Sequence, residues 1–317
     1  MQFKKYFEID NISDKDTDKT TTIYVVTEKI HGANVSFWTD GTTIKSARRN
    51  DFLGEKEESK FYNIHLLKEQ LEGKILAVFN HFAKCVSECK VVAIFGEICG
   101  GSYISPDVVP VKGAKRVQKE VSYCPYNIFY AFDVLVNGKF ISYEDSEQIF
   151  RECGIFYAKP LFKGILEECK NYPHVFPTSL PVELCLPPLE NNDCEGIIIR
   201  KYSEPATRWN VFKKKNPAFN EVLPPRRGRK PKDTVIPQTL AEIFRYLSEN
   251  RLNNVLSKET PEKQGDLPHI SKMFVEDALK DFEKDNPGVL AKIDKKKRSI
   301  IRKNVGTRAF QIVKSCT

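Results

Sequence analysis

Short runs that alternate apolar or β-branched residues with polar ones fill the first two thirds of the chain. Thr22–Thr27 (TIYVVT), Asn34–Trp38 (NVSFW), Val91–Phe95 (VVAIF), Ile128–Val136 (IFYAFDVLV) and Gly196–Arg200 (GIIIR) read as strands. Asp40-Gly41 and Asn137-Gly138 are turn dipeptides between such runs. One stretch changes period: Leu66, Leu67, Leu71, Ile75, Phe79 and Phe82 recur at helical spacing. The mixture predicts an α+β domain over residues 1–220 with antiparallel sheets, because strands and helices do not alternate as βαβ units. Past residue 238 the pattern turns helical. Leu240, Ile243, Phe244 and Leu247 lie at i, i+3, i+4, i+7; Ile270, Met273, Phe274, Ala278 and Phe282 repeat the motif. A further helix from about Val289 would carry the KKKR run Lys295–Arg298. The last part, 238–317, reads as a small all-helical domain.

Between them, 221–237 (EVLPPRRGRKPKDTVIP) holds four prolines and five basic residues, a composition that resists regular structure and marks a linker. Its RRGRKP core resembles an AT-hook, a minor-groove arm; the plainer reading is a basic linker that touches phosphates.

Charge sharpens this division. From residue 221 on, 21 Lys and Arg face 13 Asp and Glu, a net of +8 that is the whole formal charge of the chain; residues 1–220 carry 29 of each sign. A neutral body with a basic appendage suggests a polyanionic partner. No apolar run reaches the ~18 residues of a membrane span, and the acidic start lacks the apolar core of a signal peptide. The nine cysteines are scattered, with no CxxC pair, so neither a zinc ribbon nor a disulfide framework is expected. We read a reduced, intracellular, monomeric protein whose compartment the sequence leaves open.

No Walker A loop, GxSxG elbow or HExxH pair is present. The chemistry-bearing pattern is instead Glu28-Lys29-Ile30-His31-Gly32-Ala33-Asn34 between two strands. By itself, a lysine three residues before a glycine is a common chance match. Four further pieces in order give it weight: Phe95-Gly96-Glu97 after a strand, Phe132-Asp133 within one, Glu195-Gly196 opening one, and Lys213-Lys214-Lys215 with two lysines two apart.

Together these pieces resemble the covalent nucleotidyltransferases, and more closely the RNA ligase 2 family, which includes phage RNA ligases and mitochondrial RNA-editing ligases. The histidine of KxHG favours that family over DNA ligases and capping enzymes, which usually carry aspartate there. The absence of five alternating strands after Lys215, and so of an OB-fold, points the same way. The resemblance covers 1–220 well, and a helical C-terminal domain is also a family trait. Ala33, where relatives often have threonine, is a small departure.

The resemblance implies ATP as substrate, magnesium (or manganese) as cofactor and RNA ends as partner. Lys29 would be the nucleophile, forming lysyl-AMP. A lysine amine attacks only when neutral, and from an ordinary pKa of ~10.4 that costs about 4 kcal/mol near neutral pH; Lys213, Lys215 and the metal would supply the compensating positive charge and also bind the α-phosphate. Glu28 and Ile30 would contact adenine through their backbone, Phe132 would stack on it, and Glu97 would take a ribose hydroxyl. Asn34 would help hold the nucleotide. Glu195 would hold the metal's water shell. Arg49 rather than Arg48 would meet the nucleotide phosphate, with Arg48 and His31 as further phosphate or RNA contacts; His31 could alternatively be a satisfied core histidine. Asp133, alternating to the face opposite Phe132, would orient neighbours. The competing readings are a DNA ligase, a GTP-using capping-type transferase, and a binding protein on a dead transferase fold.

Overall fold

A computed structural model describes residues 1–219 and 235–316. It divides into two compact units, Met1–Ala218 and Phe219–Thr317. Most of the expected linker, 221–234 with its RRGRKP core, lies outside the described residues; its last three residues belong to a helix.

The first unit contains β1 (Asp10–Asn11), β2 (Tyr24–Glu28), β3 (Ala33–Thr39), β4 (Ile44–Arg48), β5 (Val92–Ser102), β6 (Cys124–Val136), β7 (Lys139–Phe140), β8 (Pro160–Gly164), β9 (Gly196–Lys201) and β10 (Val211–Lys215). They form two five-stranded sheets, β1-β10-β9-β2-β8 and β4-β3-β5-β6-β7. Every pairing is antiparallel except β1 with β10. The helices are α1 (Glu55–Glu58), α2 (Ile64–Cys85), α3 (Tyr143–Glu152), α4 (Leu166–Asn171) and α5 (Leu180–Glu183).

One face of the second sheet is buried by helices. Val35, Phe37, Ile94, Ile98 and Val134 pack with Leu67, Ile75, Val78 and Phe82 of α2 and with Ile149 and Phe150 of α3. Each such side chain contributes roughly 1.5–3 kcal/mol on burial. The other face carries a smaller aromatic layer of Tyr6, Trp38 and Phe95, against which Phe132 packs. The first sheet buries Tyr24, Val26, Ile197 and Ile199 against Leu166 and Cys169.

Two expectations need correcting here. Glu97 does not follow a strand; β5 runs on through it to Ser102. The ladder continues because Gly96 lets β6 approach: a Cβ there would sit 2.5 Å from both the Phe129 ring and the Tyr130 carbonyl oxygen. Asp133 is not on the face opposite Phe132. Phe95 pairs with Asp133 but Gly96 pairs with Ala131, so Phe132 is the extra residue of a β-bulge. The bulge cancels the alternation, and Tyr6 reaches both residues, its ring edge-on to Phe132 and its hydroxyl donating to Asp133.

In the second unit the described residues contain helices and no strand: α6 (Val235–Phe244), α7 (Glu249–Leu256), α8 (Pro261–Gln264), α9 (Leu267–Asp285) and α10 (Lys295–Cys316). Ile243, Leu247, Leu252, Ile270, Phe274, Phe282, Ile301 and Val305 make its core. The last helix begins at Lys295 rather than near Val289. Asn286-Pro287-Gly288 ends α9, and Asp294 supplies the new start, its carboxylate accepting from the Lys297 amide at 3.0 Å. All nine cysteines are free. No helix among the described residues is long and apolar enough to cross a membrane.

Candidate active site

The centre of the site is assembled by the three middle strands of the first sheet. Lys29 follows β2, and its backbone amide donates to the Gly196 carbonyl at 2.9 Å. Glu195 precedes β9, and its carbonyl accepts from the Asn216 amide at 2.8 Å, just after β10. Lys215 pairs with Gly196. Hydrogen bonding between neighbouring strands therefore brings residues 29, 195 and 215 side by side. Gly196 is needed at the junction: its φ is +141°, and a Cβ would lie 2.2 Å from the Lys214 carbonyl oxygen.

Side chains converge on Glu195, which is 3% exposed. Lys29 donates to its Oε2, Lys215 Nζ lies 3.3 Å from Oε1, and His31 Nδ1 lies 3.5 Å from Oε2. Burial works to raise this carboxyl's pKa, but the charges of Lys29, Lys215 and His31 overcome it and hold the group well below the ordinary range. Lys213 shares the face of Lys215 by strand alternation. Lys214 points the other way, to the Lys170 carbonyl.

His31 is 4% exposed. Its Nε2 lies 3.3 Å from Glu120 Oε2, so each ring nitrogen faces a carboxylate. Burial opposes the charged imidazolium, yet Glu195 and Glu120 outweigh it and raise the pKa above the usual histidine value. Glu120 itself is pulled down to about 2, where the His31 contacts overcome partial burial.

The second sheet supplies the opposite wall. Asn34 of β3 pairs with Glu97 of β5, which pairs with Tyr130 of β6. Burial pushes the Glu97 carboxyl up to about 7, against Lys29, Arg49 and an Asn34 hydrogen bond that pull it down. Its Oε2 is buried without a hydrogen-bond partner, an acceptor left open in the site. Arg49 is thus close enough to act on Glu97. Arg48 is turned away: it pairs with Val35 on the core side and binds Asp51 at 2.6 Å and Glu57 at 3.5 Å. Phe132 sits on the bulge, half-buried beside Tyr6.

Glu28 is buried, and its carboxylate accepts from the Thr178 hydroxyl and from the Ser179 amide and hydroxyl, the latter at 2.8 and 2.6 Å. Burial still raises its pKa against those bonds. The side chain is thereby occupied. Ile30 is 4% exposed.

The family model described as RNA ligase matches residues 22–215, more than half of the chain. The chain belongs to the RNA ligase family. A second model, T4 RNA ligase 2 C-terminal, matches residues 231–311, which places the chain in the RNA ligase 2 branch of the family. A search among curated proteins found no match. Among solved structures, a Naegleria gruberi RNA ligase variant with ATP and Mn is similar at 14% identity and a TM-score of 0.44, over 63% of this chain and 51% of that one. A variant with AMP and Mn gives 14% and 0.45. The ligase with PPi gives 15% and 0.43, over 66% and 57%. The chain spans about half the length of those ligases, and the assignment rests on the two family matches.

In this family member the structure thus gathers Lys29, His31, Glu195, Lys215, Glu97, Asn34 and Arg49, and sets Arg48 apart. Sequence reasoning missed the supports. Tyr123 accepts the His31 amide at 2.8 Å, and Gln118 donates to the Gly32 carbonyl at 3.3 Å. Glu120, Thr178 and Ser179 hold the motif from outside. Arg200 donates to Asp133 at 2.8 Å and to the Phe132 carbonyl at 3.1 Å, joining the two sheets. None lies near its partner in sequence; only the polar cluster Gln118–Ser122 between two strands offered a signal.

Proposed function

We propose that this protein is an ATP-dependent RNA ligase that joins 3′-hydroxyl and 5′-phosphate RNA ends at breaks in duplexes, in RNA repair or editing. The observation that carries this reading is the convergence of Lys29, Lys215 and His31 on the buried carboxylate of Glu195.

Lys29 Nζ attacks the α-phosphorus of ATP; the P–N bond forms, pyrophosphate leaves, and the ammonium gives up two protons in becoming the phosphoramidate. The AMP then passes to the RNA 5′-phosphate, freeing Lys29 and forming a pyrophosphate-linked adenylate. The RNA 3′-hydroxyl attacks that 5′-phosphate, and AMP departs. In the free protein Lys29 is engaged with Glu195, so attack requires the amine to part from this oxygen. Lys215 and Lys213, on one strand face, would then meet the α-phosphate and stabilise charge that grows in the transition state. The open Glu97 acceptor suits a ribose hydroxyl donor, Phe132 offers a flat ring for the base, and Arg49 suits a phosphate. Among the described residues no group of three or more His, Cys, Asp or Glu could hold a metal. Glu195 with substrate phosphates fits a magnesium ion (or manganese) kept largely hydrated, which would neutralise phosphate charge.

The test is intact-mass measurement after pyrophosphate stripping and incubation with magnesium and ATP or GTP. A gain of AMP that Lys29→Ala abolishes is expected; no gain from ATP overturns the reading. A nick-sealing assay with RNA or DNA on each side of the break, beside single-stranded RNA, tests the substrate.

A further inference from the structure

Glu120 lies in none of the motifs that mark the nucleotide site, yet its carboxylate faces the one imidazole that touches Glu195. The segment around it is fastened to the nucleophile motif at two points and to the stretch just before Glu195. Gln118 binds the Gly32 carbonyl, Tyr123 binds the His31 amide, and Ser122 exchanges two hydrogen bonds with Asn192, at 2.9 and 2.7 Å. The Lys119 amide donates to Glu120 Oε2 at 3.1 Å, so that oxygen is itself held. Glu195 in turn has two demands on one oxygen: Oε2 serves both Lys29 and His31, while Oε1 serves Lys215. When Lys29 leaves to bond phosphorus, His31 remains to hold Oε2, and Glu120 faces the far nitrogen of its ring.

We propose that Glu120 is a positioning residue for the covalent step: through His31 it keeps the Glu195 carboxylate in place while Lys29 departs. The carboxylate behind the histidine fixes which nitrogen faces Glu195, as outer partners do for metal-bound histidines. Glu120 touches neither nucleotide nor RNA in this account, so its loss acts on rate and not on ATP binding.

The proposal rests on the ligase reading, and single-turnover formation of protein-AMP separates the two. Wild-type protein that gains no AMP condemns the reading of the site; wild-type protein that gains it, with Glu120→Ala equally fast, overturns the role of Glu120 alone. The expected result is a tenfold or larger fall in rate for Glu120→Ala at unchanged half-saturating ATP. Glu120→Gln, which keeps an oxygen acceptor for the His31 N–H, restores the rate to within about threefold. A Glu120→Gln variant as slow as Glu120→Ala overturns the proposal, as does a rise in half-saturating ATP that accounts for the loss. A double variant supplies a control for folding: once His31→Ala removes the intermediary, adding Glu120→Ala costs nothing more. Additive losses would assign Glu120 to general stability instead.

Discussion

Glu97 is partly buried, one of its oxygens is enclosed without a partner, and burial pushes its carboxyl up to about 7 from 4.5. The folded protein therefore keeps this proton over a window in which the unfolded chain gives it up. Folding stability falls as pH rises from about 4.5 to 7 and is flat on either side, as far as this group governs it. Glu97→Gln should remove that slope and stabilise the free protein at pH 8 by up to about 3 kcal/mol, read by chemical denaturation, while weakening nucleotide binding. A variant less stable than the parent at pH 8 contradicts this account. Gly196 makes the opposite prediction. Gly196→Ala should cost about 2 kcal/mol or more from strain and overlap and displace Glu195, so protein-AMP formation falls together with stability. Lys215→Ala should slow protein-AMP formation by at least a hundredfold with the protein still folded, because it removes charge next to phosphorus while Lys29 and His31 still compensate Glu195; a rate near wild type would take Lys215 out of the chemistry.

Elements explain which parts the sequence revealed. Runs such as Gly196–Arg200 and the Leu67–Phe82 periodicity were legible because each bears its own signal, period two or 3.6. Lys29, Glu195 and Lys215 were legible through the resemblance that their motifs, taken in order, carry, and antiparallel pairing brings them together. The parity of Phe132 and Asp133 was not, since a bulge inserts one residue through an interaction between β5 and β6 that no single strand encodes. Nor were the partners of long reach, Glu120 for His31 and Arg200 for Asp133, which only the tertiary fold brings near. The Asp133–Arg200 pair is an element-scale device: it joins β6 of one sheet to β9 of the other, both groups almost fully buried. Arg200→Met should leave a buried carboxylate uncompensated and destabilise the protein by about 3–5 kcal/mol, and Asp133→Asn by less, as equilibrium unfolding would show.

Across the whole molecule, charge is divided as sharply as structure. The α10 helix carries eight basic residues and no acidic one, and it buries only Ile301, Val305, Ala309 and Val313, one residue per turn. Such a narrow stripe secures the helix and leaves most of its surface to positive charge. Ending the chain at Val222 should therefore preserve protein-AMP formation, since the nucleotide site lies within the first unit, but weaken sealing of RNA ends and flatten its dependence on salt. Sealing that is undiminished at raised salt would remove the helical unit from RNA contact.

The distances that matter most at the centre are those between hydrogen-bonded neighbours in a ladder, about 4.8 Å apart, and no loop length enters into them. The far end of β9 and β10 closes through the turn at 202–210, where Trp209 is 79% exposed. Most of this turn is tied down, with Ala206 and Asn210 buried and Pro205 bridged to Ser142, but its tip at Trp209 can vary without detuning the spacing at the opposite end. Sequence diversification has an open margin at that tip, whereas a single inserted residue beside Gly196 would shift every contact made by the Glu195 carboxylate.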